Sequence, residues 1–109
     1  MEIYEGSGNV FADLGLPNPE ERQAKAHLAN LIEDIIRANG WTQTVAAERM
    51  GLMQPDVSDI VRGRLKRFTL DRLFRCLNAL DQDVEITVRP KRPDRNARVL
   101  VAGEPPAAR

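Results

Sequence analysis

Gln54, Pro55, Asp56, Ser58, Asp59 and Arg62 bring an amide, two carboxylates, a hydroxyl and a guanidinium into one short stretch. If Val57, Ile60 and Val61 anchor a helix from beneath, these six residues are left on its outer side. Such a side offers donors and acceptors of the kind needed to read base edges in a major groove. The stretch that follows, RGRLKRFTLDRLFR over residues 62–75, holds six basic side chains against one acid, Asp71. A charge run is ordinarily a solvated face, but directly after a base-reading surface it also suits phosphate. Arg62, Arg64, Lys66 and Arg67 are the residues expected to make those phosphate contacts. No other chemistry is assembled. His27 has no Cys, His or carboxylate at ligand spacing. Cys76 is the single cysteine, which rules out an intrachain disulfide and a cysteine-based metal cluster. Gly6-Ser7-Gly8 is too short for a phosphate loop. Neither an enzyme nor a metal or cofactor site is expected, and no small-molecule substrate is implied.

These residues need elements to hold them. Asn18, Pro19 and Glu21 form a helix start, with cap, first-turn proline and capping-box acid in order. Ala24, Leu28, Leu31, Ile32, Ile35 and Ile36 then recur at helical spacing until Gly40. Thr42 caps a second helix that stops at Gly51, with Trp41 placed to staple toward Ala46. A third helix runs from about Gln54 to Arg62, carries Pro55 in its first turn and ends at Gly63. Thr69 caps a fourth, with a stripe of Leu70, Leu73, Phe74, Leu77 and Leu80 that should also bury Cys76. Beyond it the period changes to two. Val84, Ile86 and Val88 alternate with Glu85, Thr87 and Arg89, the pattern of a half-buried strand. The layout is thus an arm over residues 1–17, a helical domain over 18–82, a strand over 83–90, and a flexible tail over 91–109 with a possible short strand near Arg98–Ala102.

Two short helices joined by a tight glycine turn make a helix-turn-helix. Ala46 and Ala47 are small enough for a close crossing, Gly51 permits the left-handed turn, and Leu52 plugs it. The stretch TQTVAAERMGLMQPDVSDIVRG over 42–63 resembles the lambda-repressor/Cro-like (Xre) helix-turn-helix without a gap. The flanks GSGNVFADLGLPNPEE and FTLDRLFRCLNALDQDVEITV are similar to HigA-like antitoxins of bacterial toxin–antitoxin pairs. The resemblance implies a mainly α, lambda-repressor-like domain of four to five helices with a C-terminal β-strand. It implies that Gln43 contacts phosphate and braces the recognition helix, and that Gln54 reads adenine through a bidentate amide. Thr42 belongs to the same DNA-contacting set, and Ser58 and Arg62 fall at positions of polar or phosphate contact. Two features depart from the pattern. Met53 replaces the usual Ser or Thr cap, at about 1 kcal/mol. Asp56 and Asp59 set carboxylates on the groove side, able to accept from cytosine N4 yet repelled by phosphate.

The zero net charge divides unevenly: residues 1–34 carry seven acidic and two basic side chains, and the remainder nine acidic and fourteen basic. The acidic arm has spaced apolar anchors, Val10, Phe11, Leu14 and Leu16. It suits either capture of a basic, RNA-cleaving toxin or packing on its own core. Useful affinity from one small motif needs two copies on a palindromic operator. The strand has no obvious partner in a four-helix domain, so Val84, Ile86 and Val88 are expected to pair two chains into a homodimer; a hairpin with Arg98–Ala102 is the competing arrangement. The expected function is a sequence-specific repressor that is also the antitoxin regulating its own operon. A toxin-neutralising module without DNA binding, and a phage-type repressor without a toxin, are the alternatives. With no apolar run of membrane length and no signal-peptide pattern in MEIYEGSGNVFADLG, a cytoplasmic protein with no membrane partner is expected.

Overall fold

A computed structural model describes residues 2–3, 18–96 and 98–103. The arm residues Val10, Phe11, Leu14 and Leu16 lie outside the described residues. The chain forms β1 (Glu2–Ile3), α1 (Asn18–Asn39), α2 (Gln43–Met50), α3 (Gln54–Val61), α4 (Leu70–Ala79) and β2 (Thr87–Val88). The fold is mainly α, as the periodicity requires. No helix among the described residues is long and apolar enough to cross a membrane.

The 22-residue α1 buries Ala24, Leu28, Ala29, Ile32, Ile35 and Ile36 along one stripe. Its outer surface carries Glu–Lys and Glu–Arg pairs one turn apart, Glu21–Lys25 and Glu33–Arg37. Gly40, at φ +66°, turns the chain out of the helix, and the Trp41 N–H closes onto the Ile36 carbonyl. Trp41 packs on the core and carries the Arg49 guanidinium over its ring at 4.4 Å. Val57, Ile60, Phe68 and Leu73 fill the centre together with Ile32, all of them essentially inaccessible to solvent. That core, aliphatic except for Phe68, sits where the four helices meet. Thr69 caps α4 by accepting from the Arg72 N–H, and Cys76 is buried on that helix as its stripe implied.

The C-terminal region differs from the sequence reading in two respects. The expected strand over 84–88 is only two residues long, and its partner lies within the same chain. β2 pairs antiparallel with β1, Glu2 opposite Val88 and Ile3 opposite Thr87. The lone strand that motivated an intermolecular ribbon is therefore partnered. Val84 and Ile86 are half-buried, Val84 against the core, and of the expected dimer residues only Val88 is well exposed, at 57%. The expected second strand does not form at Arg98–Ala102 either. The segment 98–103 instead lies along α1: the Val99 N–H donates to Glu20 Oε1, Val101 packs on the core, and Gly103 sits against Leu31. A Cβ on Gly103 would fall 2.7 Å from Leu31 Cδ1, so a larger residue there requires the end of the Leu31 side chain to move.

Candidate nucleic-acid interface

α2 and α3 meet through a turn whose conformation follows from its residues. Gly51 is at φ +68°, in the left-handed region, and the Leu52 N–H reaches back to the Ala47 carbonyl at 2.9 Å. Ala46 is completely buried, so nothing larger than a methyl separates the two helices there. Thr42 caps α2 by accepting from the Val45 N–H at 3.2 Å.

α3 presents the residues expected of it. Val57 and Ile60 are buried and Val61 is half-buried, whereas Gln54, Pro55 and Arg62 are exposed and Ser58 is half-buried. Met53 gives no side-chain cap to α3. The complementary contact is present: the Met53 N–H donates to Asp56 Oδ2 at 3.3 Å. Met53 is 72% exposed beside Gln54. The sequence reading treated Met53 only as a weak cap and missed this apolar group, which is of the kind that meets a thymine methyl.

Gln43 and Gln54 are brought together. Gln54 Nε2 donates to Gln43 Oε1 at 2.6 Å, tying the start of α2 to the start of α3. An amide carries two N–H groups and a carbonyl with two lone pairs. With one N–H spent on Gln43, Gln54 keeps a donor and an acceptor side by side. Those are the two groups that adenine N7 and N6 require.

The two carboxylates have a different environment from the one expected. Asp59 Oδ2 accepts from Arg67 Nη2 at 2.6 Å, and its Oδ1 lies 3.7 Å from Arg64 Nε. Asp56 faces Arg67 Nη2 at 3.7 Å and Arg72 Nη2 at 3.6 Å. Their side chains are only 17% and 21% exposed, for Asp56 and Asp59 respectively. The reason lies in the chain path: the Arg64 N–H bonds to the Asp59 carbonyl at 2.8 Å, folding the loop after α3 back along the helix. Both carboxylates are thus engaged by arginines rather than free to accept from cytosine. Arg64 and Arg67 in turn face carboxylates before any phosphate arrives. Arg62 and Lys66 are exposed and make no ion pair among the described residues.

Arg72 is a participant the sequence reading counted only as charge. It stacks over Phe68 at 4.6 Å and approaches Asp56, linking α4 to the first turn of α3. Cys76 sits near this group. Burial pushes its thiol pKa up, Arg72 opposes the shift, and Asp56 adds to it. The thiol stays protonated, in contrast to the acidified and exposed state of a redox-active cysteine.

A family model for a helix-turn-helix domain matches residues 10–89. A solved structure assigned as an XRE family transcriptional regulator shares 43% sequence identity, covers 81% of this chain and 100% of its own, and superposes with a TM-score of 0.77. The chain belongs to the XRE family of helix-turn-helix proteins. None of the curated proteins matches it. In this XRE-family protein the residues matched by the helix-turn-helix model include α2, the Gly51 turn and α3, the elements that hold Gln43 and Gln54 in contact.

Proposed function

We propose that this XRE-family protein is a sequence-specific transcriptional repressor that inserts α3 into the major groove of a palindromic operator. The single observation supporting this most directly is the Gln43–Gln54 bond, which fixes an exposed amide at the leading end of α3. Gln54 is the base reader and Gln43 its brace. Thr42, Ser58, Arg62 and Lys66 contact phosphate or sugar, Met53 and Pro55 add apolar contact, and Arg64 and Arg67 reach phosphate from their carboxylate partners. Two copies bind the palindrome, with the exposed Val88 as the available part of the strand region for a second copy. An anisotropy titration with a duplex from the region upstream of its own gene tests the assignment. Gln54→Ala is expected to lose about 1–3 kcal/mol and relax preference at one base pair. Unchanged affinity refutes it.

A narrower reading rests on the resemblance of the flanks to HigA-like antitoxins and on the acidic character of residues 1–34. In that reading the repressor also neutralises an RNA-cleaving toxin through residues 1–17 and regulates its own operon. Deleting residues 1–17 is expected to abolish capture of a toxin encoded by the neighbouring gene while sparing operator binding. Capture that survives the deletion places the neutralising surface elsewhere.

A further inference from the structure

The loop after α3 is rich in positive charge, yet two of its arginines are tethered. Arg67 is 67% exposed along its side chain and Arg64 is 60% exposed. Both converge on Asp59, which is 21% exposed and lies on the recognition helix itself. One carboxylate therefore serves two arginines, through a charge-assisted hydrogen bond of 2.6 Å to Arg67 and a looser approach of 3.7 Å from Arg64. Asp56 adds a second, weaker attraction on Arg67 at 3.7 Å. Of the four cations in 62–67, two are partly neutralised from within the protein.

Exposed ion pairs of this type contribute little to stability. Stability alone therefore gives no reason to place a carboxylate among the phosphate-facing cations. Sequence-independent DNA affinity, by contrast, depends directly on how many phosphates are neutralised. Base contacts through Gln54 do not depend on that count. A residue that lowers the effective charge of the loop while leaving Gln54 untouched removes part of the term that holds arbitrary DNA and leaves the base contacts of a cognate site in place.

We propose that Asp59 competes with phosphate for Arg64 and Arg67 and so lowers the affinity of the protein for unrelated DNA. The proposal rests on the DNA-binding reading given above. It distinguishes Asp59 from a base-reading acceptor, because both its oxygens face arginines.

The test uses the full chain and a random-sequence duplex of about 30 base pairs, longer than two half-sites one helical turn apart require. Affinity is measured as a function of salt. Asp59→Asn is expected to steepen the slope of log affinity against log salt by about 0.9 for each arginine released. One released arginine enlarges the fall in affinity between 50 and 200 mM salt by about 3.5-fold. Asp59→Glu, which keeps the charge, is expected to restore the wild-type slope. In an Arg67→Ala background the same Asp59→Asn change is expected to steepen the slope less, since only Arg64 remains to be freed. An unchanged or shallower slope in Asp59→Asn overturns the proposal, as does equal steepening in both backgrounds, which marks bare charge removal. A wild-type chain that binds no duplex at any salt overturns the DNA-binding reading itself, and this inference with it. Binding by wild type with no response to Asp59→Asn overturns only the role of Asp59.

Discussion

If Gln43 acts on DNA through Gln54, removing either side chain should remove part of what the other contributes. The bond between them is short, 2.6 Å, and lies at the surface. A neutral hydrogen bond of this kind adds about 0.5–1.5 kcal/mol to folding, and less where water competes. Thermal unfolding of Gln43→Ala should therefore change little. Binding should respond more. Without Gln43 the Gln54 side chain rotates freely in the unbound protein and must be immobilised on the operator, at about 0.5–1.5 kcal/mol. Gln43→Ala should thus weaken the complex by at least that amount, with loss of its own phosphate contact in addition. Gln54→Ala should cost about 1–3 kcal/mol. In the double variant the immobilisation cost is absent, because there is no Gln54 left to order. The four proteins, titrated by fluorescence anisotropy at one salt concentration, should give a coupling energy of about 0.5–1.5 kcal/mol, or roughly 2- to 13-fold in Kd. Losses that add to within about 0.3 kcal/mol would refute the brace.

The dimer, the end of α4 and the buried thiol each give a further expectation. Val88→Asp, at an exposed position, should leave the helical circular dichroism intact and shift sedimentation equilibrium toward monomer; an intact dimer means a different interface. Asp81 is the one described non-glycine residue at positive φ, +63°, just past α4. Asp81→Gly should relieve that strain by up to about 1 kcal/mol and raise Tm by a few degrees; a lower Tm contradicts this. Burial raises the Cys76 pKa, so the unfolded chain's thiol, at about 8.5, ionises first as pH rises. The contribution of the protonated thiol to stability is full below that value and is lost as pH climbs through the raised folded-state value. The stability gap between wild type and Cys76→Ala, from urea unfolding, should narrow between about pH 7 and about pH 10. A gap constant across that range refutes the shift.

What could be read from the sequence was what local chemistry decides. Thr42, Gly51, Gly63 and Thr69 mark helix ends because caps and left-handed turns restrict residue type, and the described helices begin and end at these marks. Val57 and Ile60 announced the buried side of α3, and hence its exposed side, through helical period alone. The pairing of β2 with β1 had no such signal. The alternation over 84–89 marks the segment that holds β2, but the two residues of β1 carry no pattern that names them as its partner. The Asp59–Arg67 bond was hidden for a related reason: charge at positions 62–67 is visible, but the path of the loop that folds it back is not. Asp81 escaped notice because aspartate tolerates the left-handed region without demanding it.

The ladder between β1 and β2 also bears on the order in which the chain folds. Every helix–helix contact in the core joins segments within residues 18–79, whereas the ladder joins residue 2 to residue 88. Closing so long a loop carries an entropic cost that grows with the logarithm of its length, and a two-residue ladder returns little in exchange. During synthesis β1 emerges before the four helices and waits for β2, which follows them. The helical domain should therefore form without it, and the ladder should close last and reopen first. Amide protons at Thr87 and Val88 should exchange with solvent long before those at Ile32 or Leu73, at the centre of the core.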